Sequence, residues 1–156
     1  MSGRSVNYYN VAPDGFTAMR NLQGYVEGSG LEHSLLELVK MRASQINGCA
    51  YCLDMHSKDA RAYGETEQRL YGLNAWREAP YYTARERAAL AWTEAVTLVS
   101  HGVPEDIEAA AHKQFSEKEL VDLTYAIIAI NAWNRLAIPF HAKAGDYKSP
   151  IKAAKS

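Results

Sequence analysis

The sequence predicts an all-α, single-domain protein that assembles into an oligomer. Helical periodicity recurs along the whole chain, and the alternating apolar pattern that is typical of β-strands is absent. Helix-capping signals precede several of the periodic segments. The 156 residues suffice for one domain, and no linker or internal repeat divides them. We therefore expect one helical domain of about six or seven helices, with short tails at about residues 1–12 and 144–156.

The first half of the chain predicts four helices. The first covers about Pro13 to Glu27 and ends at the glycines of GSG. The second runs from about Leu31 to Ile46, with an apolar stripe on one face and Asn47-Gly48 as its stop signal. A third starts near Cys49 and ends at Tyr63-Gly64. A short fourth helix follows at about Glu65 to Leu73, with a threonine in position to cap it.

The second half predicts an irregular connection, NAWREAPYY, and three further helices. Thr83 and Glu86 have the spacing of a capping box, and they open a helix that extends to about Ser100. Pro104 is placed to start a helix that reaches about Gln114. A second capping box, at positions 116 and 119, precedes a long apolar helix with the sequence LVDLTYAIIAINAWNRLAIPF.

This last predicted helix is nearly continuously apolar around Ala126 to Ile130. Such a segment is buried on more than one side, and in a small protein a second subunit can supply the second side. We therefore expect a homo-oligomer. Asn131 and Asn134 interrupt the apolar run, and each needs a hydrogen-bond partner if it is buried. We expect those bonds to join helices or subunits.

Composition and charge exclude several classes of function. The formal net charge of −1 and the pI of about 6.5 offer no basic surface for nucleic acid or an anionic membrane. The sequence contains no long apolar run that predicts a membrane span, and the first residues lack the apolar centre of a secretory signal. We expect a cytoplasmic protein. Structural disulfides are rare in that compartment, so two closely spaced cysteines there favour catalytic, redox or metal-binding chemistry.

The segment GCAYCLDMH, residues 48–56, contains the chain's two cysteines. Cys49 and Cys52 fall at the start of a predicted helix, where free backbone N–H groups and the helix dipole favour thiolate over thiol. The two-residue spacing allows the sulfur atoms to approach disulfide distance. His56 lies one helical turn after Cys52 on the same face, where an imidazole can accept the thiol proton.

Glu37 is the candidate group that orients this histidine. It lies within LLELVKMR, among leucine and valine residues where a carboxylate is unusual. If its helix packs against the next one, Glu37 can face His56 and pass protons at neutral pH. The competing interpretation places Glu37 on a solvated edge, in an i,i+3 ion pair with Lys40.

The segment LLELVKMRASQINGCAYCLDMHSKDA resembles the core of the carboxymuconolactone decarboxylase superfamily, in particular its alkyl hydroperoxidase D (AhpD) branch. That branch has a glutamate, eleven residues, C-x-x-C, three residues and a histidine, and Glu37, Cys49, Cys52 and His56 match this spacing. The closest resemblance covers roughly Leu31 to Gly64. INAWNRLAI near the C-terminus is also similar to a segment of AhpD-like proteins of this length.

The resemblance implies an all-helical fold, usually a homotrimer or homohexamer, and a thiol peroxidase or antioxidant activity. Carried over to this chain, Cys52 attacks the peroxide, Cys49 resolves the product as a disulfide, and His56 with Glu37 relays the proton. No bound cofactor or metal is implied. The partners would be a peroxide and a dithiol reductant, for which AhpD uses a lipoyl-bearing protein. Tyr51 departs from the family pattern, because AhpD has histidine before its second cysteine.

Other interpretations of the cysteines stay open at this point. The four residues could hold zinc, although three ligands within one and a half helical turns strain a tetrahedral shell. A structural disulfide or two ordinary core thiols are further alternatives, whereas covalent haem attachment requires histidine where Leu53 stands. A cofactor-free decarboxylase of the same superfamily is an alternative function, although that branch lacks the cysteine pair. A non-enzymatic redox-responsive binding protein is also compatible. Repeated peroxide consumption would distinguish an enzyme from such a switch.

Two further residues carry expectations. Arg42 follows the Glu37 helix toward the cysteines, and we expect it to pair with a carboxylate or to hold the loop that presents Cys49. Tyr51 is expected either to donate a hydrogen bond near the sulfur atoms or to pack at a subunit contact. The remaining histidines have no ligand spacing with one another, and we assign no role to His33, His101, His112 and His141.

Overall fold

Helices account for the regular structure of the computed structural model. It describes residues 3–153 of the chain, and within that range no β-strand is present. The α-helices are α1 Tyr8–Val11, α2 Pro13–Glu27, α3 His33–Asn47, α4 Ala50–Ala62, α5 Glu67–Tyr71, α6 Ala84–Thr97, α7 Glu105–Gln114 and α8 Glu117–Ala137. Short 3₁₀ turns at Leu73–Ala75 and Val99–His101 follow α5 and α6. The predicted all-α class is confirmed.

The number of helices differs slightly from the expectation. The described residues contain eight α-helices, of which six have seven or more residues. Helix α1 is the additional element, and it lies in the predicted N-terminal tail. Asn7 caps this four-residue helix by accepting a hydrogen bond from the backbone N–H of Asn10 at 3.2 Å. A single turn is too short to show a hydrophobic period, so only the cap could have indicated it.

Both predicted capping boxes are present. At the start of α6, Thr83 accepts from the backbone N–H of Glu86 at 3.1 Å, and Glu86 accepts from the backbone N–H of Thr83 at 2.8 Å. Ser116 and Glu119 make the same reciprocal bonds at the start of α8. Each box satisfies backbone donors that a helix start leaves free, and so fixes where these two helices begin.

Helix α3 is the centre of the fold, because α4, α6 and α8 all pack against it. One side of α3 contributes Leu35, Leu36 and Val39 to a core cluster that includes residues of α6 and α8. The other side contributes Leu38 and Met41 to a second cluster. Leu36 is fully buried, and burial of one such side chain stabilises the fold by about 2 kcal/mol. This packing holds α3 and α4 side by side, which positions the site described below.

A polar network joins the C-terminal end of α3 to α8. The Asn47 side-chain amide donates to Asn131 Oδ1 at 3.0 Å and to Asn134 Oδ1 at 2.9 Å. Asn134 is fully buried and donates to Ser44 Oγ at 3.1 Å. Asn131 donates to Thr97 Oγ1 of α6 at 3.1 Å. The expected bonds between helices are therefore present, and they hold the end of α3 just before the cysteines.

The outer face of α8 exposes apolar side chains. Val121, Tyr125 and Ile128 are 54%, 42% and 46% exposed and occupy neighbouring positions along the helix. Tyr25 of α2 stacks edge-on against Tyr125, with ring centroids 5.6 Å apart. Although α8 has 21 residues, neither it nor any other helix within residues 3–153 is long and apolar enough to cross a membrane. This face is the expected subunit contact.

Replacing Ile128 with glutamate is expected to weaken self-association without unfolding the subunit. A carboxylate that is buried at an apolar contact loses its hydration and strongly disfavours assembly, whereas on an isolated subunit it stays in water. Sedimentation velocity should show an oligomer for the wild-type chain and a smaller species for Ile128→Glu. Ile128→Val is the matched control and should assemble like the wild type. A wild-type monomer at micromolar concentration would contradict the assignment.

Candidate active site

The junction of α3 and α4 presents the two cysteines. Gly48 ends α3 with φ 72° and ψ 36°, a left-handed conformation in which glycine carries no steric cost. The backbone N–H of Cys49 then donates to Ser44 O at 3.0 Å, which closes the end of α3. Cys49 itself is the N-cap residue of α4. The predicted stop at Asn47-Gly48 therefore sets the position of Cys49.

The structure joins Cys49 and Cys52 as a disulfide, with their Cα atoms 5.4 Å apart. The backbone N–H of Cys52 points at Cys49 Sγ, and the nitrogen-to-sulfur distance is 3.3 Å. Both residues lie at the N-terminal end of α4, where the dipole and free N–H groups favour negative charge. When the pair is reduced, this environment stabilises thiolate, most directly on Cys49 through the capping N–H.

The cysteine pair is buried in the subunit. Cys49 is 1% exposed and Cys52 is 3% exposed. They pack with Ala43 and Ile130, and Tyr51 and Ala142 complete their cover. The two cysteines therefore have almost no contact with solvent in the subunit.

Glu37 of α3 reaches His56 of α4, and it also pairs with Lys40. Its Oε2 lies 3.0 Å from His56 Nδ1, and its Oε1 accepts a hydrogen bond from Lys40 Nζ at 2.8 Å. Glu37 thus makes the contacts of both interpretations from the sequence, with His56 and with Lys40, but the solvated edge of the competing interpretation is wrong. Glu37 is 3% exposed and Lys40 is 6% exposed, because α4 and its neighbours cover this face of α3. The result is a buried cation–carboxylate–imidazole row.

The charge state of Glu37 follows from competing effects. Burial alone raises the pKa of the Glu37 carboxyl, because it penalises the charged form. The hydrogen bond and charge of His56 oppose burial, and Lys40 adds to that opposition. Together they hold the pKa of Glu37 below its ordinary value. Glu37 is therefore a carboxylate at neutral pH and can accept a hydrogen bond from His56 Nδ1–H.

Lys40→Met is expected to destabilise the fold at neutral pH. This loss of stability is expected to become smaller at acid pH. A carboxylate whose pKa is lowered by folding contributes stability above its unfolded pKa and loses it as pH falls through its folded pKa. Without the Lys40 ammonium, burial opposes the Glu37 charge with less compensation, so the pKa of Glu37 rises. The expected loss is about 2 kcal/mol, below the usual cost of breaking a buried pair because His56 still holds Glu37.

Thermal unfolding across a pH series measures this effect. The difference from the wild type should diminish as Glu37 becomes protonated in both proteins. The matched control is Lys118→Met, which removes a lysine whose side chain is 72% exposed and which pairs with Asp122 four residues later. An equal loss at every pH in Lys40→Met would show that packing, rather than the charge of Glu37, causes it.

The structure adds Asp59 and Tyr147 to the residues that the sequence predicted for the site. Asp59 is 8% exposed and lies three residues after His56, on the same side of α4. The Tyr147 hydroxyl donates to the Asp59 carboxylate, at 2.9 Å from Oδ1 and 3.1 Å from Oδ2. The helical spacing of positions 52, 56 and 59 could have indicated Asp59. Tyr147 has no such signal, since it is 88 residues from Asp59 in the sequence.

One group among the described residues has the composition of a metal site. Ligand atoms of Glu37, His56 and Asp59 all lie within 4.8 Å of one another. The cysteines are not part of this group, so it differs from the zinc site considered from the sequence. The Lys40 ammonium on Glu37 and the Tyr147 hydroxyl on Asp59 already compensate both carboxylates. An ammonium 2.8 Å from a ligand oxygen opposes the approach of a second cation.

Arg42 and Tyr51 have clear positions. Arg42 donates to Glu94 of α6 at 2.9 Å and to Gln45 at 3.0 Å, so the expected carboxylate pair is confirmed. Tyr51 packs against the cysteine cluster. Burial, followed by its hydrogen bond with Tyr9, raises the pKa of Tyr51 to about 12. Its hydroxyl is therefore protonated at neutral pH, and its expected role at a subunit contact remains a prediction.

Comparison with known proteins identifies the family. A family model described as "Carboxymuconolactone decarboxylase family" matches residues 12–95, more than half of the chain. The chain belongs to the carboxymuconolactone decarboxylase family. The match includes α2, α3, α4 and most of α6, so it contains all four residues of the predicted site.

Similar proteins place the chain in the AhpD-like branch of this family. A protein of unknown function from Agrobacterium tumefaciens, proposed to be the antioxidant defence protein AhpD, has a crystal structure with a TM-score of 0.89. It is 44% identical, and the match covers 93% of this chain and 100% of that one. The uncharacterized protein YdfG of Bacillus subtilis is 44% identical over 134 residues, which are 85% of this chain and 91% of that protein. The resemblance to AhpD-like proteins is confirmed.

The debrominase Bmp8 has the same fold. Its structure has a TM-score of 0.79 and 19% identity, and the match covers 88% of this chain and 74% of that one. At that identity the likeness concerns the fold alone. The AhpD-like fold therefore occurs with more than one chemistry, and the activity of this chain must be argued from its own site.

Proposed function

We propose that the chain is a thiol-dependent peroxidase that reduces hydroperoxides through the Cys49–Cys52 pair. The observation that carries the proposal is the pairing of these cysteines at the start of α4, beside a buried Glu37–His56 hydrogen bond. A redox pair with an oriented imidazole one turn away has the parts that an activated thiol needs. The AhpD-like relatives support the same activity class.

In the first step, His56 accepts the proton of Cys52, and the thiolate attacks one peroxide oxygen. The O–O bond breaks, Cys52 becomes a sulfenic acid, and the departing alkoxide takes a proton from His56 to leave as an alcohol or water. Glu37 accepts a hydrogen bond from His56 Nδ1–H, which holds the ring and stabilises the imidazolium.

In the second step, Cys49 attacks the sulfenic sulfur, and water leaves as the disulfide forms. An external dithiol then reduces the disulfide and is itself oxidised to a disulfide. The Cys52 N–H that points at Cys49 Sγ stabilises negative charge there, so attack of the dithiol on Cys52 expels a stabilised thiolate. A lipoyl group, either free or carried by a protein, is the proposed reductant class.

The test is steady-state peroxide consumption by the purified chain with dihydrolipoamide as the reductant. An enzyme consumes many equivalents of hydrogen peroxide or an alkyl hydroperoxide per subunit, in proportion to the dithiol that is oxidised. A redox-responsive binding protein reacts once per subunit and then stops. Absence of repeated turnover with either peroxide class would refute the proposal.

A further inference from the structure

The C-terminal segment is tied to α4 by bonds that do not involve the Tyr147 ring. Lys58 Nζ donates to Gly145 O at 3.2 Å and to Tyr147 O at 2.9 Å. The backbone N–H of Gly145 donates to Asp54 Oδ2 at 3.1 Å, and Lys58 pairs with Asp54 at 2.9 Å. The predicted C-terminal tail is thus attached to the helix that carries the redox pair. Loss of the Tyr147 hydroxyl alone leaves these anchors in place.

The Tyr147 hydroxyl is directed at a nearly buried carboxylate. It lies within 3.1 Å of both oxygens of Asp59, so one O–H proton is shared between them. Burial, followed by the hydrogen bond and charge of Asp59, raises the pKa of Tyr147 well above its ordinary range. The hydroxyl therefore stays protonated and remains a donor. Glu37 and Tyr51 contribute to the same rise through their charges, which places Tyr147 in the neighbourhood of the site.

Asp59 in turn lies close to the Glu37–His56 pair. One of its carboxylate oxygens lies within 4.8 Å of both a His56 ring nitrogen and a Glu37 oxygen. Two carboxylates thus act on one imidazole in a buried region, where charges interact strongly. Glu37 is compensated by Lys40, whereas Asp59 is compensated by Tyr147. The ionisable groups in this neighbourhood are Glu37 and Lys40 from α3, Tyr51, His56 and Asp59 from α4, Tyr63 directly after α4, and Tyr147 from the C-terminal segment.

We propose that Tyr147 is a positioning residue of the site, which acts through Asp59 to set how readily His56 takes the proton of Cys52. The Tyr147 hydroxyl donates a hydrogen bond to Asp59 and so partly compensates its negative charge. Asp59 then competes less with Glu37 for interaction with the His56 imidazole. This inference rests on the proposed thiol chemistry of Cys52 and adds two residues to it, Asp59 and Tyr147.

The inference predicts opposite effects for two conservative substitutions. In Tyr147→Phe the uncompensated Asp59 charge stabilises the imidazolium form of His56, so His56 takes the proton of Cys52 more readily. The midpoint of thiolate formation should fall by about 0.5 pH unit, a roughly threefold change in proton affinity. In Asp59→Asn a negative charge beside the imidazole is removed, so the midpoint should rise by a similar amount. General loosening of the fold would not produce shifts of opposite sign.

The measurement is the ultraviolet absorbance of thiolate during a pH titration of the fully reduced chain. It needs neither peroxide turnover nor access of a reagent to the buried sulfur atoms. Tyr71→Phe is the matched control, because Tyr71 is 74% exposed on α5 and should leave the midpoint unchanged. The double variant Tyr147→Phe/Asp59→Asn should titrate like Asp59→Asn alone, since the hydroxyl then has no carboxylate to act on.

Two results would overturn the inference. One is a Tyr147→Phe midpoint equal to that of the wild type and of Tyr71→Phe. The other is a Tyr147→Phe shift that persists undiminished in the Asp59→Asn background. If Asp59→Asn fails to fold, as judged by circular dichroism, the thiolate midpoints of Tyr147→Phe and Tyr71→Phe still test the inference. The titration is independent of turnover. A wild-type chain without peroxidase activity would therefore refute the proposed function, whereas the titration of the variants would still test the role of Tyr147.

Discussion

Cys52→Ser is expected to abolish peroxide turnover, with a loss of about a thousandfold or more in kcat/KM. A serine hydroxyl in place of the thiol stays protonated beside His56 and does not form the sulfenic acid. Cys49→Ser should behave differently. It keeps the attacking thiolate, so it reduces one peroxide per subunit and then stops, because Cys52 sulfenic acid has no resolving thiol.

Peroxide consumption with dihydrolipoamide, together with mass spectrometry after trapping with dimedone, separates the two variants. Trapped sulfenic acid should appear at Cys52 in Cys49→Ser and be absent from Cys52→Ser. Circular dichroism should confirm that both variants are folded, since each substitution replaces a buried sulfur atom with oxygen. Trapped sulfenic acid at Cys49 in Cys52→Ser, together with reduction of one peroxide per subunit by that variant, would reverse the two roles.

The sequence predicted most of the fold because the helix signals in this chain are local. The capping boxes at Thr83 and Ser116 act within one turn, and Gly48 ends α3 where a left-handed residue is required. Such signals need no knowledge of the tertiary structure. The missed helix α1 has a cap but too few residues for a period.

The residues of the site also fall into two groups, those that local sequence signals predict and those that depend on tertiary contacts. Cys49, Cys52 and His56 share one helix, so their spacing alone places them together, and the distance of eleven residues to Glu37 is recognisable through the family pattern. The sequence left open whether Glu37 and Lys40 lie on a solvated edge, because periodicity does not reveal which other helices cover α3. The bond from Tyr147 to Asp59 spans 88 residues, and it depends on the path of the chain after α8.

Burial of the redox pair is also a tertiary property. Cys49 and Cys52 pack with Ala43 of α3 and with Ile130 and Ala137 of α8, and Ala142 beyond α8 packs against this cluster. A C-x-x-C motif at a helix start predicts a stabilised thiolate but says nothing about its accessibility. The burial of the redox pair therefore depends on segments that lie far away in the sequence.

Glu37→Gln is expected to lower kcat/KM by about a hundredfold, within the range of a lost general acid–base partner. The amide has nearly the same shape, but it carries no negative charge to stabilise the imidazolium. Since the pKa of Glu37 is held below its ordinary value, wild-type Glu37 is ionised throughout the neutral range. The ratio of wild-type to variant activity should therefore be constant near neutrality and should shrink at acid pH, as Glu37 of the wild type becomes protonated.

The pH dependence of kcat/KM measures this, and Glu94→Gln is the matched control. Glu94 is also a carboxylate whose pKa is lowered by hydrogen-bond donors, but its partners are Trp76, Arg77 and Arg42, away from the redox pair. Glu94→Gln should reduce the melting temperature and leave the shape of the activity profile unchanged. Full activity in Glu37→Gln would mean that His56 does not need the Glu37 carboxylate, and the relay would then have to run through Asp59. The activity of Asp59→Asn/Glu37→Gln would decide, because a relay through Asp59 alone must fail when both carboxylates are gone.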